Sequence, residues 1–508
     1  MSTPEPFPAM PAVEPLPTLE NTYAELPEGF YARVSPTPVA DPGLLRVNAV
    51  LAAELGLDSE ALTSDEGVSV LAGNRVPDGA TPIAMAYAGH QFGHFVPSLG
   101  DGRAVLLGEH LDPAGRRWDI QLKGAGQTPF SRSGDGRAVL GPVLREYVLG
   151  EAMAGLGIPT TRALAMVATG EPVFRERIEP GAVLIRVAAS HIRVGTFEYF
   201  ARRGDGDAVR RLADYVIRRH YPDCAGDAQP YAALLAAIAA RQGELIARWL
   251  LVGFIHGVMN TDNMAVSGET IDYGPCAFMD GYHPGTVYSS IDRGGRYAYD
   301  RQPSIGMWNL SQLASSLLPL IDDDAETARD RARVALEQYA HAFNATYEGG
   351  LRQKIGLADA RDGDDELVQD LLGRMAEHNA DFTNTFRLLC DLSADGEAAA
   401  TDTTEALRAQ FRDADAFDQW AARWRARVAG QPLDDAARRA AMRRVNPAYI
   451  PRNHRVQQAI DGALDGDLRP LDQLLEVVSR PYDDHDLLAD HRRPPEPHEV
   501  VQRTFCGT

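Results

Sequence analysis

Asn260-Thr261-Asp262-Asn263, followed shortly by Asp272-Tyr273-Gly274, is the stretch on which the reading of this chain turns. An apolar run, Trp249-Leu250-Leu251-Val252-Gly253-Phe254-Ile255-His256-Gly257-Val258-Met259, precedes it. A buried segment therefore delivers an Asp and an Asn into a polar turn. A strand-like piece at Ile271, between Thr270 and Asp272, is expected to return a second Asp beside a Gly. Three oxygen side chains on two neighbouring loops suit a hard divalent cation that holds phosphates. A kinase active site divides its labour in this way, with one Asp at the attacking hydroxyl and an Asn and another Asp on metal. The same residue types also gather in plain turns, where they bond their own backbone. Kinase loops separate the Asp from the Asn, whereas Asp262 and Asn263 are adjacent, so the remainder of the chain decides between the two readings.

The chain has 508 residues, long enough for two or more domains. A hydrophobic share of 44% and a charged share of 24% are those of a globular protein. The net charge of −21 argues against a general nucleic-acid or membrane-surface binder, so any basic patch is local and holds small anions. Cys224, Cys276, Cys390 and Cys506 are scattered without metal-ligand spacing, which points to a reducing, cytoplasmic compartment. No apolar stretch reaches bilayer length. Residues 1–19 are Pro-rich, lack a signal core and read as a flexible tail.

Phe30 to Val34 reads as a short strand, and Asn48 to Leu55 as a helix closed by Gly56. His90 and His94, in Tyr87-Ala88-Gly89-His90-Gln91-Phe92-Gly93-His94-Phe95, have no Cys or carboxylate at ligand spacing and are expected to pack and hydrogen-bond. Gly100-Asp101-Gly102-Arg103 is a turn into the strand Ala104 to Leu107. In Trp118 to Lys123, Trp118, Ile120 and Leu122 share one face, and Asp119, Gln121 and Lys123 the other, polar one. A helix is expected from Pro142 to Leu156, with Glu146 in its first turns and Gly157 at its end. Ala182 to Val187 reads as a strand and Ser190 to Gly195 as a turn. Helical patterns dominate from Ala208 to His256 and again over 308–480, including Asp324 to Tyr347, Glu366 to Asn379, Thr403 to Val428 and Arg455 to Leu464. The Pro-rich tail from Arg492 reads as mobile. The expected class is α+β, a protein-kinase-like bilobal fold with a helical C-terminal extension. Its parts are a nucleotide-binding lobe over 20–200, the metal-loop part of the second lobe over 201–320, a helical region over 321–490 and a tail over 491–508.

Gly100-Asp101-Gly102-Arg103-Ala104-Val105-Leu106 recurs at Gly134-Asp135-Gly136-Arg137-Ala138-Val139-Leu140. Gly opens the backbone to an anion, and Arg offers a planar fork matched to phosphate; the alternative is two similar turns with surface arginines. Lys123 and Glu146 form a candidate strand-lysine and helix-glutamate pair, and Arg186 and Arg193 add cation density. This inventory fits phosphoryl or nucleotidyl transfer, in which positioning and charge neutralisation carry catalysis. It equally fits a kinase moving the γ-phosphate, or a non-catalytic ATP-binding or redox-responsive module.

On a longer set of motifs the chain resembles the selenoprotein O (SelO/YdiU) family of protein adenylyltransferases, whose fold is pseudokinase-like. The matching pieces are Asn21-Thr22-Tyr23, Tyr87 to Gly93, Leu99 to Arg103, Gln121 to Arg132, Gly134 to Arg137 and Arg145-Glu146-Tyr147. They continue with Ile185-Arg186-Val187, Arg193 to Glu198, His256 to Met264, Asp272-Tyr273-Gly274-Pro275 and Asn446 to His454. The resemblance implies ATP bound in a flipped orientation, with AMP passing to a Ser, Thr or Tyr hydroxyl of a protein. It makes Asp262 the general base and gives Mg²⁺ or Mn²⁺ to Asn263 and Asp272. Lys123, steadied by Glu146, is implied to contact phosphate. Gly100, Gly102, Arg103, Asp135, Gly136, Arg186 and Arg193 are implied to line the nucleotide site, with the last two arginines near the outer phosphate. UMP transfer with Mn²⁺ is implied as well, and the expected state is a monomer acting on proteins, with no nucleic acid or membrane. Two features depart from relatives: Gly141-Pro142-Val143 stands where a more polar run is expected ahead of the Glu146 helix, and the second cysteine of a pair is missing. Cys506 stands near the end, but Thr286-Val287-Tyr288-Ser289 holds no cysteine, which argues against a regulatory disulfide.

Overall fold

The computed structural model describes residues 14–394 and 401–505. In chain order its strands are β1 (Tyr31–Arg33), β2 (Gly43–Val47), β3 (Ile83–Met85), β4 (Gly89–Gln91), β5 (His94–Val96), β6 (Ala104–Leu111), β7 (Arg117–Lys123), β8 (Ala138–Val139), β9 (Arg162–Phe174), β10 (Ile178–Ala188), β11 (Phe254–Ile255) and β12 (Ala277–Phe278). The helices are α1 (Ala49–Leu55), α2 (Ser59–Thr63), α3 (Asp65–Leu71), α4 (Leu140–Gly155), α5 (Val194–Ala201), α6 (Gly206–His220), α7 (Pro230–Leu251), α8 (Gln302–Ile321), α9 (Ala325–Lys354), α10 (Asp364–His378), α11 (Phe382–Leu389), α12 (Thr401–Arg408), α13 (Ala414–Val428), α14 (Asp435–Arg443), α15 (Asn453–Leu464) and α16 (Arg469–Ser479). This is a mixed fold of one large sheet and many helices. Among the described residues no helix is long and apolar enough to cross a membrane.

The chain forms two compact units. The first takes residues up to 85, 101–140 and 163–187. It holds an eight-stranded sheet ordered β1-β3-β6-β7-β10-β9-β2, with β8 paired to β10. Leu107, Ile120, Leu122, Leu164, Val167, Val183 and Ile185 from the sheet pack against Leu51, Leu55, Leu62 and Leu71 of α1–α3. Asn48 caps α1 and Gly56 closes it at φ 72°, as the sequence predicts. The alternation of β7 is also as expected, but its polar face is not solvated: Asp119 and Gln121 are both buried. The expected N-terminal tail is shorter than residues 1–19, because Leu16 and Leu19 are buried in this core; residues 1–13 lie outside the described residues.

The second unit takes 86–100, 141–162 and everything from 188 onward. Here α7, α8 and α9 pack together, and the short hairpins β4–β5 and β11–β12 present loops. Four expectations are corrected. Ser190 to Gly195 is not wholly a turn, since α5 starts at Val194 and Gly195 is packed so closely on the Ala88 carbonyl that a Cβ would come within 2.0 Å of it. Ile271 is not in a strand: Thr270 makes an isolated bridge to Thr160, and the strand pairing with β11 is β12. Thr403 to Val428 is two helices, α12 and α13, because Asp413 stops the run and caps the second by accepting from the Asp415 N–H. The C-terminal tail is docked through Thr504, which is buried, donates its N–H to the Tyr288 carbonyl (2.9 Å) and its hydroxyl to the Pro275 carbonyl. Cys506 lies outside the described residues.

Candidate functional site

The loop after β11 tightens into a single 3-10 turn, Thr261–Asn263, that places Asp262. The apolar run ahead of it is buried as expected, so the turn is held from below. His256 is the pin. It is buried, its Nε2–H donates to the Ile271 carbonyl (2.9 Å), and its Nδ1 accepts from the Val258 N–H (3.3 Å). Burial lowers its pKa, so the ring stays neutral in the tautomer these two bonds require. One imidazole thus fixes the spacing between the Asp262 loop and the Asp272 loop. Arg145 of α4 holds the far side of the second loop by donating to the carbonyls of Gly274 (3.2 Å) and Cys276.

Asp262 is buried. Its Oδ2 accepts from Gln91 Nε2 of β4 at 3.0 Å, and its Oδ1 has no hydrogen-bond partner among the described residues. Backbone is packed against it: a Cβ at Gly89 would stand 2.4 Å from Oδ1. Burial pushes the Asp262 carboxyl up to about 6, against the opposing pull of the Gln91 hydrogen bond and the Arg193 charge. A buried acid with one oxygen gripped and the other unengaged is built as a proton acceptor near neutral pH.

Arg193, the residue just before α5, ties the centre together. Its Nη1 donates to the Asp262 carbonyl and to Asp272 Oδ2, each at 2.5 Å, and its guanidinium lies 4.7 Å from the Tyr87 ring centroid. Asp272 is one of four non-glycine residues with positive φ among the described residues, at 65°; such backbone is costly and gathers at functional sites. Asn263 donates its Nδ2 to the Val258 carbonyl (2.9 Å), which leaves its side-chain oxygen as the remaining polar group of the amide. The oxygens here that could take a cation are those of Asn263 and the Asp272 carboxylate. Among the described residues no three His, Cys, Asp or Glu side chains gather to form a closed metal cage. An all-oxygen, incomplete set fits a hard cation that completes its shell with phosphate and water.

The remaining expected residues are placed as follows. Glu146 is buried within α4, in the second unit with Asp262, Asn263, Asp272 and Arg193. Lys123 ends β7 in the first unit. Arg186 is buried there and donates to Gln121 Oε1 (3.2 Å), while Gln121 donates to Asp101 (3.3 Å). The two copies of the seven-residue repeat do different work. Asp101 is buried and accepts from the Met85 N–H, and Gly102 packs on the Phe130 carbonyl, 3.0 Å from where a Cβ would be. Gly100 turns the chain at φ 69°, ahead of half-buried Arg103. Asp135, by contrast, is bound by both Arg175 Nη atoms (2.7 and 2.9 Å), and Arg137 donates to the Thr37 and Pro38 carbonyls. Gly136 sits so close to Gly126 that a Cβ would meet its carbonyl at 2.0 Å.

Sequence reasoning gave no role to Gln91, Gly89, Asn260 or Tyr297. Tyr297 donates to Asn260 Oδ1 (2.6 Å), and Phe92 N–H reaches both, which locks the β4–β5 turn beside Asp262. The only signal was the Gly-rich segment Tyr87 to Gly93. His90 is as expected a packed residue, its Nδ1 2.5 Å from Glu198 Oε1.

Residues 17–479 match the family described as protein adenylyltransferase SelO. A protein nucleotidyltransferase YdiU of Rhodopseudomonas palustris (strain BisB18) is 60% identical over 490 residues, 96% of this chain and 99% of its own length. Another of that name, from Rhizobium etli (strain CIAT 652), is 61% identical over 96% of this chain and 97% of its own length.

Proposed function

This chain belongs to the SelO protein adenylyltransferase family, and from that premise we propose that it moves AMP from ATP to Ser, Thr or Tyr hydroxyls of proteins. It is an enzyme, a protein nucleotidyltransferase. In this reading Asp262 takes the proton of the acceptor hydroxyl as its oxygen attacks the α-phosphorus. The new P–O bond forms, the bond to the β-phosphate oxygen breaks, and pyrophosphate leaves. Asn263 and Asp272 would hold Mg²⁺ or Mn²⁺, which supplies charge neutralisation at the phosphates. Arg193 keeps the Asp262 and Asp272 loops in register through the two bonds it donates. Lys123, Arg186, Arg103, Gly100 and Gly102 serve the nucleotide, and Glu146 acts in the role that the family resemblance gives it. The same resemblance gives Asp135 and Gly136 to the nucleotide, and the kinase-like, bilobal fold class belongs to this proposal. A monomeric, cytoplasmic enzyme belongs to the same proposal; the buried thiols of Cys224, Cys276 and Cys390 are in no disulfide, in keeping with a reducing compartment.

The observation that carries the proposal is the Asp262 carboxylate, buried, oriented at Oδ2 by Gln91 and unengaged at Oδ1. The test is labelling of the chain itself and of lysate proteins with ATP labelled at the α- or the γ-phosphate, with Mg²⁺ or Mn²⁺. Label from the α-position alone, lost in Asp262→Ala, is expected. Label from the γ-position alone would make the enzyme a kinase, and no label from either would leave a nucleotide-binding module. UTP with Mn²⁺ tests UMP transfer in the same assay.

A further inference from the structure

Among the described residues Arg296 makes no ion pair with a carboxylate. Its Nε and Nη2 are buried and have no hydrogen-bond partner among the described residues. Asp292, one of the two acids nearest in sequence, accepts instead from the backbone N–H groups of Arg296 (2.9 Å) and Tyr297 (2.8 Å). The guanidinium lies 4.8 Å from the centroid of the half-buried Trp308 ring and 5.7 Å from that of Tyr297, and its charge acts on the Tyr297 hydroxyl. It also lies beside Gly93, where a Cβ would come 3.6 Å from its Cζ. In a chain of net charge −21 there is no shortage of carboxylates to pair with it. Arg296 is half-buried and meets the Tyr297 hydroxyl, and leaving its two buried N–H groups unmatched is costly and calls for a partner from outside the chain.

Two neighbourhoods say what that partner is. First, Arg296 and the Asp262 base share one turn: Gln91 donates to Asp262, Phe92 N–H meets Tyr297, and Gly93 meets Arg296. Asp272 reaches the Asp262 loop by a different route, through Arg193. Second, Arg296 ends a chain of rings. Trp308 stands edge-on to His90 (5.2 Å), His90 packs on Phe95 (5.1 Å), and exposed Arg202 lies 5.2 Å from the Phe95 centroid. The result is an aromatic strip with an arginine at each end, starting at the catalytic turn. Such a strip suits an extended acidic peptide better than a compact phosphate. Resting on the transfer reading above, we infer that Arg296, Trp308, Phe95 and Arg202 dock the acceptor protein. They select hydroxyls that lie in acidic segments, with an acceptor carboxylate taken by Arg296.

The test uses the full chain, α-labelled ATP and peptides presenting Ser, Thr or Tyr between Glu residues, with the same peptides carrying Lys or Ala in place of Glu. Wild type is expected to label the Glu peptides about tenfold better than the Lys peptides. Arg296→Glu should reverse that order, Arg296→Lys should keep it, and KM for ATP should stay unmoved in both. Equal labelling of Glu and Lys peptides by wild type overturns the inference. So does an unchanged preference in Arg296→Glu, or no peptide labelled while the chain labels itself. A raised KM for ATP in Arg296→Glu with unaltered peptide preference overturns it too, and gives Arg296 to the nucleotide. Label on neither peptide nor chain strikes the transfer reading instead.

Discussion

At the scale of single residues, two buried charges set opposite terms for function and stability. The proposed mechanism needs Asp262 ionised, yet burial holds its carboxyl up at about 6, from an ordinary 3.8. A raised carboxyl pKa means that the folded state binds the proton more tightly than the unfolded one. Stability is then lost as pH rises from about 4 through about 6. Asp262→Asn should therefore cut transfer by about 10²–10⁴ and yet melt higher than wild type at pH 7.5 in metal-free buffer. The gain is at most about 3 kcal/mol and should vanish at pH 4; paired thermal melts and labelling assays check both halves. Lys354 is the converse case. It is buried beneath the Phe386 ring, 4.4 Å from its centroid, and burial lowers its amine to about 7 from 10.5. Below pH 7 the folded chain carries the full cost of a buried ammonium. Between 7 and 10.5 it sheds the proton before the unfolded chain does, and the cost fades. Lys354→Met is expected to raise stability by about 2–4 kcal/mol at pH 6 and by little near pH 10, read from melting curves at the two pH values.

At the scale of elements, the β4–β5 hairpin is what positions the proposed base. Gly89 has to be glycine because its missing Cβ is the space that Asp262 Oδ1 occupies, 2.4 Å away. Gly89→Ala is expected to push the carboxylate off Gln91 and lower kcat by about 10²-fold while the α-helical content stays that of wild type; circular dichroism and labelling on one preparation separate the two effects. Local chemistry was legible here and long-range chemistry was not. Asn48 and Gly56 announced α1 because caps act within a turn. The alternation of β7 gave its two faces, but not that the polar one is covered, since period 2 says which side chains share a face and nothing of what packs on it. Asp262, Asn263 and Asp272 were legible as a group because they are close in sequence. The Gln91 bond to Asp262 spans 171 residues, and no spacing rule reaches that far. Ile271 misled because a bracketed β-branched residue reads as a strand, although Thr270 makes only an isolated bridge.

At the scale of the whole molecule, the second unit is closed by charges brought together from distant parts of the chain. Arg452, just ahead of α15, is buried and donates to Asp280, after β12, and to Asp381, the cap of α11. The motif Arg452-Asn453-His454 thus has a structural reading: it ties the segment that follows the Asp272 loop to the C-terminal helices. Burial raises the Asp280 carboxyl, the Arg452 charge opposes that, and the neighbouring Asp381 charge adds to it. Arg452→Met would leave two carboxylates facing each other in the interior. Removing one partner from such a set costs about 3–5 kcal/mol, whereas neutralising all of it is far milder. The single variant should therefore lose more stability at pH 8, where the Asp280 carboxylate stays charged beside Asp381, than at pH 5, where protonation of Asp280 relieves the pair. The triple variant Arg452→Met, Asp280→Asn, Asp381→Asn should recover most of the loss, since the last of these substitutions keeps a side-chain oxygen to cap α11. Urea unfolding of the three proteins at both pH values decides this: a single variant that loses the same stability at pH 5 and pH 8 would mean that Arg452 acts through packing and not through charge.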